Sequence, residues 1–106
     1  MIRISPYIKK KKRMFTFDKE NLAILHKMHH ETYIPISSIF EHALNKFYGT
    51  TSKKIKYSPR ESARRQTTYL TEDSIAKFNE LIIKHNYTRR ELANAIVRTI
   101  YDDNNN

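Results

Sequence analysis

The chain has no cysteine, a single glycine, three prolines and no long apolar run in 106 residues. The first absence excludes a disulfide framework, a thiol nucleophile and a cysteine-ligated zinc site. With Gly49 as the lone glycine, there is no glycine-rich loop of the kind that cradles nucleotide phosphates. Charges interrupt every apolar cluster, so no membrane span is expected. Residues 1–13 are basic, but the apolar run of about 7 to 15 residues that a signal peptide needs does not follow them. No carboxylate pair stands out beyond ordinary helix caps. His26 and His30 stand four apart without a carboxylate placed as third ligand, which reads as a surface pair. The expectation is therefore a protein with no catalytic residues, no metal, no cofactor, no small-molecule substrate and no membrane partner.

What the chain does have is positive charge, and it is segregated. The formal net charge is +9, from 20 Lys and Arg against 11 Asp and Glu. Of those 20 cations, 12 fall in residues 1–13 and 53–65, opposed there only by Glu61. The remaining 80 residues hold 8 basic and 10 acidic side chains, so the rest of the surface is close to neutral. A polyanion is the implied partner, nucleic acid first and an anionic membrane surface second.

Each basic cluster precedes a similar stretch. Sliding the sequence by 53 residues lays Arg64-Arg65-Gln66-Thr67-Thr68-Tyr69-Leu70 over Lys11-Lys12-Arg13-Met14-Phe15-Thr16-Phe17, and the match continues without a gap. Phe17 falls on Leu70, Leu22 on Ile75, Leu25 on Phe78, Met28 on Leu81, Ile39 on Leu92, Ala43 on Ile96 and Phe47 on Ile100. A unit this small sits at the margin of independent stability, so two copies are expected to share one core.

The spacing predicts, in each copy, a short strand and two helices. Strands are expected at Lys11 to Phe17 and at Arg64 to Leu70, with Asp18 and Thr71 as N-caps of the helices that follow. Leu22, Leu25, Met28 and His29 form one buried stripe to about Glu31, and Ile75, Phe78, Leu81 and Ile82 another to about His85. Pro35 ends the first of these helices and opens the next, which runs to Tyr48 with Ile39, Phe40, Ala43, Leu44 and Phe47 inward and Gly49 as C-cap. Thr88 and Glu91 form a capping box ahead of Leu92, Ala93, Ile96, Val97 and Ile100. The domain plan is a basic N-terminal arm at 1–10, a first copy at 11–48, a basic linker at 49–63, a second copy at 64–101 and a polar, frayed tail at 102–106. Fifteen extended linker residues reach up to roughly 50 Å, enough to set the copies side by side.

This strand–helix–helix pattern, seen twice, resembles the ribbon-helix-helix DNA-binding family of the Arc and MetJ type, in the tandem form of the conjugation protein TraY. The resemblance covers residues 11–48 and 64–101. It implies a mainly α fold with a small two-stranded antiparallel β-ribbon, tandem ribbon-helix-helix repeats forming an intramolecular pseudo-dimer, and insertion of the ribbon into the DNA major groove. The pattern departs at the turn between helices, where the family often has glycine. Here stand Thr32-Tyr33 and Asn86-Tyr87; asparagine tolerates left-handed backbone, whereas Thr32 or Tyr33 would be strained in it.

Because residues alternate across a ribbon, Phe17, Leu70, Phe15 and Thr68 should cover the core. Lys12, Met14 and Thr16, with Arg65, Thr67 and Tyr69, then face outward as base-reading residues. The bland reading of that face is a solvated surface. The start of each second helix implies phosphate contacts: Ile36, Ser37 and Ser38 in one copy, Arg89 and Arg90 in the other, against the alternative of a solvated first turn. Lys9, Lys10 and Lys11 would run along the DNA backbone or serve only as a solubilising tail. The linker cations Lys53, Lys54, Lys56 and Arg60 carry the same two readings.

The expected function is sequence-specific double-stranded DNA binding at unequal half-sites, as a small transcriptional repressor or a plasmid transfer or maintenance accessory. The protein would act in the cytoplasm with the nucleoid, as a monomeric pseudo-dimer, with cooperative assembly on adjacent DNA sites left open. The alternatives are an antitoxin-type protein-interaction module and a charge-driven, non-specific nucleic-acid binder.

Overall fold

The computed structural model describes residues 10–50 and 63–104. They form β1 (Lys10–Asp18), α1 (Lys19–Thr32), α2 (Ile36–Thr50), β2 (Ala63–Thr71), α3 (Glu72–His85) and α4 (Arg89–Asn104). The architecture is mostly helical, with four helices and one two-stranded antiparallel sheet. Each of the last three elements starts 53 residues after its counterpart among the first three.

The pairing register is centred on Met14 and Thr67. Arg13 stands opposite Thr68, Phe15 opposite Gln66, Lys12 opposite Tyr69 and Thr16 opposite Arg65. Met14 and Thr67 are themselves 53 residues apart, so the ladder reads alike from either strand. Both strands are one residue longer at each end than expected. Side chains of α2 and α4 hold the terminal residues Asp18 and Thr71, which keeps the last rungs formed.

The pleat sorts the ribbon as its alternation requires. Phe17, Leu70 and Thr68 are fully buried and Phe15 nearly so, on the face that meets the helices. Phe15 is the hub, its ring 5.1 Å from Phe40 and 5.0 Å from Phe78, with Phe17 edge-on to Phe40 at 5.5 Å. Burying a side chain of this size stabilises by about 1.5–3 kcal/mol. The core stripes of α2 and α4 are the expected ones, with Ala95 and the polar Asn94 also buried. The second helices are crossed over: α2 packs on β2 and α4 on β1, and α2 and α4 pack on each other. The crossing is not exclusive, since Phe40 of α2 also packs on Phe15 and Phe17 of β1.

Several local expectations are corrected. Gly49 is no C-cap; it lies inside α2, which continues to Thr50. Residues 102–104, expected to fray, extend α4. Both helices add backbone hydrogen bonds in a last turn that needs no buried face. Asp18 occupies the N-cap position of α1, yet its side chain makes no cap hydrogen bond and meets Arg90 instead. Thr71 does cap, accepting from the Ser74 N–H, and Thr88 with Glu91 forms the reciprocal box at 2.9 and 3.1 Å. His29 is half-buried and serves the turn rather than the core stripe.

That turn adopts the backbone expected to be strained. Tyr33 is left-handed at φ 61°, ψ 12°, matching Asn86 at φ 57°, ψ 46°. Hydrogen bonds around it offset the steric cost. The Tyr33 N–H reaches His29 O at 2.7 Å, His29 Nδ1–H donates to Ile34 O, and Thr32 Oγ1 bridges Met28 O and the Ile34 N–H.

Two stability outcomes follow from this packing. Phe17→Ala is expected to cost about 3–5 kcal/mol in denaturant unfolding, and a negligible loss would contradict its placement. Glu41, on α2, is a titrating group tied to the fold. Burial alone pushes its carboxyl up, but hydrogen bonds from the Thr71 N–H and from the Ser74 and Thr71 hydroxyls, with Lys10 nearby, outweigh burial and hold it below the ordinary 4.5. A lowered folded-state value contributes stability above about pH 4.5, lost as pH falls through the folded value. Stability measured against pH should therefore fall less steeply in Glu41→Gln below pH 4.5; identical slopes would mean that Glu41 does not titrate with folding.

Candidate nucleic-acid interface

A two-stranded ribbon has two faces and two outer edges, and among the described residues the inner face and part of each edge are taken up by the helices. The inner face is core. On the edge of β1, Met14 O accepts from Arg89 Nη2 at 3.3 Å and Thr16 O from Asn94 Nδ2 at 3.2 Å, while the Asp18 N–H donates to Asn94 Oδ1 at 2.8 Å. On the edge of β2, the Tyr69 N–H donates to Ser37 Oγ and the Thr71 N–H to Glu41 Oε2, each at 2.9 Å. Edge groups satisfied in this way are poor templates for a further strand. The outer face remains for a partner.

That face carries Lys12, Met14, Thr16, Arg65, Thr67 and Tyr69. Lys12 and Arg65 are exposed, Thr16 and Thr67 half-buried, and Met14 and Tyr69 keep 46% and 49% of their surface in solvent. The register sets Lys12 beside Tyr69, Met14 beside Thr67 and Thr16 beside Arg65. All six expected base-reading residues thus share one surface. It offers a guanidinium fork, an ammonium, two hydroxyls, a phenol and a thioether, a donor-rich set with apolar contacts between.

The flanks were harder to read. Ser37 and Ser38 lie half-buried in the first turn of α2, where helix geometry leaves N–H groups without an intrahelical partner; Ile36 packs against the core. Arg89 opens α4 in an exposed position, its guanidinium 5.1 Å from the Phe15 ring centroid and 5.8 Å from that of Phe78. Stacking and the bond to Met14 O fix it beside the outer face, along a depression of about 270 Å³ lined by Met14, Phe15, Thr16, Arg89 and Arg90. Arg90, expected to act with Arg89, is turned to the buried Asp18 carboxylate at 3.2 Å. That anion also accounts for a cation at a helix N-terminus.

The lysines before the ribbon are engaged within the chain. Lys10 Nζ is 3.6 Å from Glu41 Oε1 and Lys11 Nζ 2.8 Å from Glu72 Oε1, and Lys11 holds the exposed Glu72 carboxyl below its ordinary value. Lys9, the rest of the arm, and Lys53, Lys54, Lys56 and Arg60 of the linker lie outside the described residues. His26 and His30 are exposed, and no group of three potential metal ligands occurs among the described residues. No helix there is long and apolar enough to cross a membrane.

Sequence reasoning missed the residues that pin the ribbon. Asn94 is the plainest case, a lone polar residue inside Leu92-Ala93-Asn94-Ala95-Ile96-Val97, and its buried position was signalled by that surrounding. Glu41 stands 53 residues earlier and does the same work on the other strand, for which its own neighbourhood carried no signal. Comparison of the chain with protein-family models, curated proteins and solved structures finds no match.

Ser37→Ala should expose the Tyr69 amide, speeding its hydrogen exchange at a cost of about 1 kcal/mol in stability. Unchanged exchange at Tyr69 would mean that the edge is protected by other means.

Proposed function

We propose that the chain is a tandem ribbon-helix-helix pseudo-dimer that binds double-stranded DNA sequence-specifically, its ribbon in the major groove, as a small regulator of transcription or of plasmid transfer and maintenance. One observation carries the reading: the outer face of the ribbon presents Lys12, Met14, Thr16, Arg65, Thr67 and Tyr69 together, with Arg89 fixed at its border. A major groove about 12 Å wide admits a two-stranded ribbon, and these side chains match what base edges there offer. Arg65 suits guanine O6 and N7, the threonine hydroxyls suit several bases, and Met14 suits a thymine methyl. The 53-residue offset between all paired elements, with a register centred on Met14 and Thr67, supports the pseudo-dimer.

Phosphate contacts in this reading come from Arg89 and from the N–H groups at the start of α2. Lys10 and Lys11 join only by leaving Glu41 and Glu72. For the exposed Lys11 pair that exchange is easy, since such pairs contribute about 0–1 kcal/mol.

The test is a salt titration of binding to a duplex selected from a random pool and to random duplex. Selective binding is expected, and equal affinity for both at every salt concentration would leave a charge-driven binder instead. Arg65→Ala should weaken the selected site by about 1–3 kcal/mol and relax preference at one base pair. Arg89→Ala should weaken all sequences alike and lower the salt slope by about one.

A further inference from the structure

The two ends of the outer face differ in chemistry. At one end Thr16 pairs with the exposed Arg65, while Arg64 beside it alternates to the other face and Arg89 of α4 is bonded to Met14 O at the centre. Among the described residues none of Arg64, Arg65 and Arg89 is paired with a carboxylate, and Arg90 is already matched to Asp18. At the other end Lys12 pairs with Tyr69, Lys10 is held by Glu41 and Lys11 by Glu72, and α2 brings Ser37 rather than an arginine. On the outer face the guanidinium of Arg65 at one end thus answers the ammonium of Lys12 at the other, across the Met14–Thr67 centre.

We propose that the ribbon binds a non-palindromic duplex in one fixed orientation, with the Thr16–Arg65 end on a guanine-bearing half-site and the Lys12–Tyr69 end on a thymine-bearing one. This rests on the DNA-binding reading above. Arg65 supplies a planar two-donor fork that only guanine O6 and N7 accept in bidentate fashion, whereas Lys12 is a point charge without that geometry. Tyr69, half exposed, gives the opposite end an apolar ring suited to the thymine C5 methyl. Turning the protein end for end would set the ring over the guanine and the fork over the methyl. One bidentate contact discriminates by roughly 5- to 150-fold, so a single misplaced fork is enough for one orientation to dominate.

The absence of cysteine makes the orientation directly measurable. Lys19→Cys, at the exposed position following Asp18, carries an iron-chelate cleaving group on the complex with a duplex selected from a random pool. Cleavage is expected on one side of the site centre only. On the unmodified chain, 7-deazaguanine replacing guanine on that side should lower affinity about 10-fold, and uracil replacing thymine on the far side several-fold, with little effect when the two replacements exchange sides. Equal cleavage on both sides, or equal sensitivity of both half-sites to 7-deazaguanine, would overturn the fixed orientation while leaving sequence-specific binding in place. If no duplex is enriched from the pool, the DNA reading falls, and the orientation with it.

Discussion

A two-stranded β-ribbon cannot stand by itself in water, since it has one ladder of hydrogen bonds, two unpaired edges and no interior. Everything else in this fold answers that constraint. The inner face is covered by helices, and the edges are closed by side chains from α2 and α4. α2 and α4 share in both tasks, closing edge groups on the strand of the other half and packing beneath the ribbon, where Phe78 of α3 also meets Phe15. Removing α4 would release the Asp18 N–H and Thr16 O and take Arg89 away with it. Fold and candidate interface therefore share their supports.

The polar groups at the two ribbon ends show how the chain handles buried charge. Asp18 is buried and meets Arg90, and its backbone N–H is taken by Asn94. At the other end Glu41 accepts from the Thr71 N–H and hydroxyl and has Lys10 at its side. A buried carboxylate is tolerated only with partners of this kind, and losing one partner costs more than the pair contributes. The chain thus spends several of its cations internally, and the outward charge is what remains after that use. Net charge counted along the sequence overstates what an approaching polyanion would meet at the Lys10–Lys11 end.

Much of this was legible in the residues. The period of two in Met14-Phe15-Thr16-Phe17 sets the inner and outer faces, and Phe17 and Leu70, 53 apart, anchor both strands to the core. The helix stripes were equally plain, because apolar spacing is a local property. What escaped was settled at a distance. Arg90 finds Asp18 across 72 positions, so nothing beside it announced an ion pair. Tyr33 takes a left-handed backbone because His29 and Thr32 clamp the turn with side-chain hydrogen bonds that depend on the folded geometry. Gly49 looked like a stop, yet glycine permits a cap without imposing one.

The core also records a difference between the halves. Positions 53 apart hold Phe15 against Thr68 and Phe40 against Ala93, and the two Phe rings sit together at 5.1 Å. A first half paired with its own copy would bring four such rings where the chain places two, and overfilling a packed interior costs about 1–3 kcal/mol or more. A second half paired with its own copy would lack rings at both of these positions and keep only Phe78 in the cluster. The core is thus filled unequally by positions 53 apart, Phe15 and Phe40 standing where the later positions have Thr68 and Ala93.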